Sequence, residues 1–448
     1  MEDTAIEEAE VSGAAEFAPA LIASHPHGNS VAVAIGPELR VFDLKSGSPV
    51  SLSDDCGGRY HADAIRAICF GVSGALFASA GDDKLVKVWK TDSWRCIRTI
   101  TSEKRVSAVA ISNDDLFVTF ADKFGVVWLV TLGEDGAEQV SVDNKPVSIL
   151  GHYCSIITSM PLIINHAYAI YLGLQKFSPD GRFIATADRD FKIRVTLFPK
   201  NPVKGAHEIQ SFCLGHTDFV SCIAFTSMSE NQSFLISGGG DSTVRLWDYI
   251  NGCLLDTCQV RDKMGELLEQ NETDDSSLAV ADICPSNDGK LVAVAIQSFN
   301  GVMLLACDLV GKKLSFLKVI TMEKSYIPTS LASSFSSEFL WTVMGASNMP
   351  NQASNQLLTR LRIIPRFQKD LISSDNGPLI LEDSEVPHGE KLLLALQGSL
   401  DIAKQEEVLA SVLSALKVSM HKMLVKKHYS EERREQRKRG RNDKKIKN

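Results

Sequence analysis

The stretch Gly215-His-Thr-Asp-Phe-Val220, continued by Phe234-Leu-Ile-Ser-Gly-Gly-Gly-Asp241 and Thr243-Val-Arg-Leu-Trp-Asp248, is where the fold becomes readable. Apolar residues alternate at Val220, Ile223 and Phe225 and again through Val244 and Leu246, the period of half-buried strands, and the glycines before Asp241 supply a tight turn. Such a strand and turn unit cannot bury its own faces, so its value depends on whether the chain repeats it. It does, at roughly forty-residue spacing. The six-residue step from Asp241 to Trp247 recurs from Asp83 to Trp89 and from Asp122 to Trp128, and the nine-residue step from His216 to Phe225 recurs from His61 to Phe70. One unit therefore spans 61–90, with Ser79 in the place of Ser237, and another spans 105–132. Weaker copies are read at 29–44, at 278–305 around the turn Pro285-Ser-Asn-Asp-Gly289, and at about 328–364.

The repeat resembles the WD40 repeat, and the resemblance implies an all-β, seven-bladed WD40-type β-propeller over 16–366. It also implies that His216, Ser237, Asp241 and Trp247 form the buried hydrogen-bonded tetrad of that family, a structural device rather than a catalytic one. A propeller of this kind closes by pairing an N-terminal strand with its last blade, and residues 17–23 are the candidate for that strand. In blade four, aligned on Asp190, the tetrad positions fall on His152 and Thr186, but the tryptophan position falls on Thr196.

The tetrad is thus incomplete where charge is densest. Asp188, Arg189, Asp190, Lys192 and Arg194 fall within seven consecutive positions across a turn. Alternate members of such a run can simply solvate a strand face; fixed opposite charges on a rigid turn also suit recognition of another protein. Three stretches, Ala121-Asp-Lys-Phe-Gly125, Phe183-Ile-Ala-Thr-Ala-Asp-Arg-Asp-Phe-Lys-Ile-Arg194 and Ser211-Phe-Cys-Leu-Gly-His-Thr-Asp-Phe-Val220, make the chain similar to a narrower family, the WD-repeat non-catalytic subunits of the tRNA (guanine-N7) methyltransferase. That resemblance implies a heterodimer with a separate catalytic methyltransferase, tRNA as the substrate of the complex, and S-adenosylmethionine on the partner, with no cofactor and no metal here. It further implies that Arg194, Lys192, Arg189, Asp188 and Lys123 face the partner, Arg194 foremost because a guanidinium can fork onto a carboxylate. Two departures from the family pattern, Phe191 and Val126 at places often acidic, imply either a partner patch that is less basic and more apolar or a contact geometry that differs locally.

Blade four also carries an excess of about sixteen residues between His152 and Phe177 relative to the nine-residue step of other blades. Joining Met160 to Lys176 restores an ordinary strand and turn, which marks 161–175 as an insertion, either intron-derived sequence or a partner-binding arm.

The composition excludes several classes. The chain has 448 residues, 44% hydrophobic, and a net charge of −8. An acidic stretch over 1–15 precedes the propeller, no apolar run approaches a membrane span, and ten scattered cysteines show no Cys-x-x-Cys pair. No glycine-rich phosphate loop, metal-spaced His/Cys set or nucleophile with an evident base is present, so the chain is read as a non-enzyme. Residues 261–277 are read as a mobile connection between blades five and six, and 367–399 as a linker. Apolar positions at Val408, Leu409, Val412, Leu413 and Leu416 predict a helix over 400–428.

From His421 onward twelve Lys or Arg stand against four Asp or Glu, a local +8, which leaves −16 on residues 1–420. Within the tail 429–448, Arg433, Arg434, Arg437, Lys438, Arg439, Arg441, Lys444 and Lys445 are candidates for a nuclear import signal or for RNA phosphate contacts, which places the protein in the nucleus and leaves the cytoplasm open. The competing reading of the whole chain, a substrate adaptor of a ubiquitin ligase, calls for a basic residue two positions after Trp-Asp, where Ile250 stands; a stand-alone WD-repeat scaffold rests on the tail alone.

Overall fold

The computed structural model describes residues 18–54, 60–133, 145–151, 174–187, 191–229, 232–264, 278–323, 326–334, 338–347, 358–367, 380–398, 410, 413 and 414. Seven four-stranded antiparallel sheets follow one another as blades, over 21–49, 65–101, 106–151, 174–214, 220–259, 280–321 and 330–364, the last completed by Ala18–Pro19. Alternation along the middle strands is what packs the blades together. In blade six, Val292, Val294 and Ile296 of the strand Leu291–Ile296 join the core shared with blade five, while Leu291, Ala293 and Ala295 join the core shared with blade seven. Both faces are buried, so these strands read as nearly unbroken apolar runs.

The ring closes differently from the sequence expectation. Only Ala18–Pro19 pairs with the last blade, Ala18 opposite Ser347 and Pro19 opposite Ala346, and Leu21–Ser24 is instead the innermost strand of blade one. Phe17, the first residue of the expected closing strand, lies outside the described residues. The seam gains one backbone bond from Ala20 N–H to Gly345 O (2.8 Å) and one from the Thr329 hydroxyl to Ala20 O (2.9 Å).

The rest of the closure comes from a segment read from sequence as linker. Residues 380–398 hold a helix, Glu390–Gln397, that buries Leu392, Leu393 and Leu396 in the core shared by blades one and seven. It stops at Gly398, whose φ of +84° suits a residue without Cβ and whose N–H caps Leu394 O. The Gln397 side-chain oxygen accepts the Leu361 N–H at 2.7 Å, so a helix end takes the place of a strand against the edge of Leu358–Ile364. Arg360 and Arg362, both buried, converge on Asp383, and Arg362 also pairs with Glu323. On the blade-one side Arg40 donates to Leu396 O (3.2 Å) and His388 Nε2 meets Leu44 O at 2.8 Å. Eight residues of helix between two glycines are too short for a periodicity argument, which is why the segment reads as linker.

Of the other segments, 1–15, the tail 429–448, all of 265–277 and most of 400–428 lie outside the described residues, although Ala410, Leu413 and Ser414 are helical. Val260–Met264, at the start of the expected blade five to six connection, is a short helix. The insertion needs a shorter C-terminal boundary: Leu174 and Gln175 belong to the innermost strand of blade four, opposite Ala187 and Thr186. Gln175 is buried and its amide donates to Thr119 O in blade three at 2.8 Å, so in this fold it serves as part of the blade. Residues 161–173 lie outside the described residues.

The clasp makes a stability prediction. Asp383→Ala leaves two buried guanidinium groups short of their shared carboxylate and is expected to cost about 3 to 5 kcal/mol, the range for breaking a buried ion pair. Urea unfolding of the intact chain checks this; a loss under ~1 kcal/mol would mean that the clasp contributes little to ring closure.

Candidate protein-docking surface

Two blades carry a complete interior hydrogen-bond chain, and they define what the blades between them lack. In blade five the Trp247 indole N–H donates to Ser237 Oγ (2.8 Å), the Ser237 hydroxyl to His216 Nε2 (2.7 Å), and His216 Nδ1–H to the Asp241 carboxylate (3.0 Å). Blade two repeats it through Trp89, Ser79, His61 and Asp83 at 3.1, 2.9 and 2.8 Å. The indole can only donate and the carboxylate only accept, which fixes the two ends of the chain, and a neutral imidazole protonated at Nδ1 then takes the serine hydroxyl proton at Nε2. Gly239 is required here, since a Cβ would stand 2.7 Å from His216 Nδ1. Burial raises the Asp241 carboxyl, but His216, the Thr217 N–H and the Thr243 hydroxyl outweigh it and hold the group down at about 2.

Blade three lacks this chain, and the sequence spacing misidentifies its tryptophan. In blade two Trp89 lies opposite Phe77, itself opposite Phe70, whereas in blade three the same two pairings place Val130 opposite Val118 and Ile111. Trp128 therefore corresponds to Lys87, two residues before the tetrad tryptophan, and its indole donates directly to Asp122 at 3.0 Å. The six-residue step from Asp122 to Trp128 is coincidental: the positive φ of Gly125 matches that of Lys84, which puts Phe124, not Asp122, in the place of Asp83. The histidine place is taken by Ser102, four residues before its strand as His61 is before Ile65. Where blades two and five turn a carboxylate inward to histidine, blade three carries an exposed phenylalanine, with Lys123 and Lys104 ammonium groups 5.3 and 5.8 Å from its ring centroid.

In blade four the serine and tryptophan places hold Thr186 and Thr196, both fully buried. Arg194 occupies the place of Lys87 and of Arg245. Its Nε donates to Thr196 Oγ1 (3.1 Å) and its Nη1 to Gly151 O (3.1 Å), on the outermost strand of blade three. Gly151 is the strand partner of Val126, so Arg194 ties blade four to the turn that displays Phe124. Burial lowers the proton affinity of this guanidinium below its usual value.

Cross-strand pairs share a face, which assembles the rest of the surface. Lys192, exposed, lies opposite Leu214, and Arg194 lies opposite Phe212. Leu214 is 59% exposed, Phe212 44%, and Ile209 at the start of the same strand 42%. The surface is thus cationic and apolar together: Lys104, Lys123, Lys192 and Arg194 with Phe124, Phe212 and Leu214.

Of the residues singled out from sequence, Arg194, Lys192 and Lys123 are brought to the seam of blades three and four. Asp188 and Arg189 lie outside the described residues, as do Arg433, Arg434, Arg437, Lys438, Arg439, Arg441, Lys444 and Lys445. Phe124, Phe212, Leu214 and Lys104 are added by the structure. Phe212 and Leu214 carry a sequence signal, alternation in Ile209-Gln-Ser-Phe-Cys-Leu214, but alternation alone does not say that the apolar side faces water. Among the described residues no three His, Cys, Asp or Glu side chains are grouped to hold a metal ion, and no helix is long and apolar enough to cross a membrane.

The depressed Asp241 carboxyl fixes a pH window. A group lower in the folded than in the unfolded chain contributes stability above its unfolded value, near 3.9, and loses it as pH falls toward about 2. Asp241→Asn is expected to lower stability at pH 7 and to flatten its fall between pH 4 and 2; an unchanged acid limb in urea titrations would refute this assignment.

Residues 136–357 match the family model described as the tRNA methyltransferase TRM82 WD40 domain, and residues 56–90 match that of the WD domain, G-beta repeat. A zebrafish (Danio rerio) protein named tRNA (guanine-N(7)-)-methyltransferase non-catalytic subunit wdr4 is 34% identical over 251 residues, 55% of this chain and 52% of its own length. The Xenopus laevis protein of the same name is 31% identical over 292 residues, 64% of each chain. The Dictyostelium discoideum one is 29% identical over 266 residues, and the chain spans about half the length of the Dictyostelium and zebrafish relatives, 51% and 52%. Among solved structures, one titled "Structure of U3-55K" aligns with a TM-score of 0.54 at 17% identity, covering 79% of this chain and 97% of its own, a likeness of fold alone.

Proposed function

We propose that this chain, whose residues 136–357 belong to the TRM82 WD40-domain family, is the non-catalytic subunit of a tRNA (guanine-N7) methyltransferase, docking a separate catalytic subunit on the seam of blades three and four. The observation that carries the reading is where the family match falls. It takes in the outermost strand of blade three, all of blades four to six and most of seven, and so contains the blade-four strands on which Lys192 and Arg194 meet the exposed Phe212 and Leu214, together with Gly151, to which Arg194 is bonded. Two further observations support it. Relatives in zebrafish, frog and slime mould bear the name of that subunit, and the interior histidines His61 and His216 are consumed in structural hydrogen bonds rather than left to act as bases.

The mechanism is preorganisation. Strands bonded on both sides hold Lys192 and Arg194 at fixed spacing, so the partner loses entropy on docking while this chain loses little, and elements of the partner can be held in an active arrangement. S-adenosylmethionine and the reacting guanine would then both lie on the partner, in a heterodimer acting on tRNA.

Co-purification followed by a methylation assay on unmodified tRNA tests this. The chain alone is expected neither to bind S-adenosylmethionine nor to methylate tRNA, and to raise turnover when the catalytic subunit is added. Methyl transfer by the isolated chain, with contaminating partner excluded by mass spectrometry, or a catalytic subunit whose turnover the chain does not change, would contradict it.

A further inference from the structure

We propose that Phe124 is an apolar anchor of the docking surface and that the partner face it enters is an apolar socket rimmed by carboxylates. The inference rests on the reading of this chain as a methyltransferase subunit, and it adds a residue and a recognition chemistry to it.

The ring is presented rather than merely exposed. Asp122 Oδ1 accepts the Phe124 N–H at 2.8 Å and the Val126 N–H at 3.2 Å, and Gly125 N–H closes on Asp122 O at 2.9 Å. The other carboxylate oxygen of Asp122 takes the Trp128 indole, so the turn is held from within its own blade. Gly125 has a φ of +79°, and its glycine avoids the strain other side chains meet there. Lys104 and Lys123 flank the ring at cation–π distance, restricting its motion without covering it, for it remains 44% exposed. An aromatic side chain with little freedom left to lose is the kind of group that dominates interface energetics.

Position and charge identify what it meets. Arg194 connects this turn to blade four through Gly151, the strand partner of Val126, so Phe124 and the Lys192, Arg194, Phe212 and Leu214 face belong to one surface. The stretches 102–105, 122–126 and 191–194 contain five Lys or Arg against two Asp or Glu, a net +3, whereas residues 1–420 as a whole carry −16. A small cationic island on an acidic body steers carboxylates to itself and repels a polyanion from its surroundings. Nucleic acid would find an aromatic platform and two lysines here but an unfavourable field around them; a protein face with an apolar socket and acidic rim finds both halves satisfied.

The test is calorimetric titration of the full chain with the catalytic methyltransferase subunit, comparing wild type, Phe124→Asp, Phe124→Leu and Arg194→Glu, with melting temperatures recorded for each and tRNA binding by the chain alone as a separate arm. Phe124→Asp is expected to weaken association by roughly thirtyfold or more, the ratio typical of a lost interface anchor, with the melting temperature unchanged because the ring lies outside the core. Phe124→Leu is expected to stay within roughly fivefold of wild type. If Phe124→Asp binds the subunit like wild type while Arg194→Glu does not, the anchor is overturned and the functional reading stands. If neither variant weakens a complex that does form, both the anchor and its surface are overturned. Loss of tRNA binding by Phe124→Asp with subunit affinity unchanged would overturn it in favour of a nucleic-acid platform. Absence of any wild-type complex would overturn the functional reading and the anchor with it.

Discussion

The chain of donors from tryptophan through serine and histidine to aspartate sets the terms for the rest of the structure. Within a blade it pins the turn, the second and third strands and the segment leading into the innermost strand to one another, and both ring nitrogens of His216 and of His61 are satisfied. A blade holding this network has its turn aspartate and following strand committed to the interior. Blade three has Phe124 at that turn position, and blade four has Thr196 in the tryptophan place. Blade three fills the interior with Phe120 and Val130 and turns Phe124 outward, and blade four keeps two buried threonines and sends Arg194 across the seam. Rigidity is supplied instead by Asp122 with Trp128 and by Arg194 with Gly151, which hold the surface without consuming it.

Much of this was legible in the sequence, for identifiable reasons. The tetrad of blade five could be named because the resemblance to the WD40 repeat implies a hydrogen-bonded set at His216, Ser237, Asp241 and Trp247. Blade three shows where spacing fails. The step from Asp122 to Trp128 is the right length on the wrong register, and only the pairing of Phe117–Asp122 with Val126–Thr131 reveals the two-residue displacement. Phe124 lies in the family stretch Ala121-Asp-Lys-Phe-Gly125, but nothing in a sequence says that a phenylalanine in a turn remains exposed. The charges of Lys192 and Arg194 were readable; that one is exposed and the other bonded to a neighbouring blade was not.

Closure of the ring was the least legible part. A two-residue pairing at Ala18–Pro19 and an eight-residue helix at Glu390–Gln397 share the task that a long N-terminal strand was expected to perform. The polar groups responsible, Arg360, Arg362, Asp383 and Gln397, are scattered over 38 positions of sequence and meet only in space. Burying two arginines at this seam costs stability unless Asp383 and Glu323 are in place, so closure and docking draw on the same physics, buried guanidinium held by a neighbouring element, at opposite sides of the functional question.

The surface proposed to receive the catalytic subunit is one contiguous face at the seam of blades three and four. Hydrogen exchange of the full chain with and without that subunit reads this directly, amide by amide. The account predicts new protection over 102–105, 122–126, 191–196 and 209–214, with blades one, six and seven unchanged. Protection centred on those other blades, with the blade three and four turns exchanging as in the free chain, would contradict it.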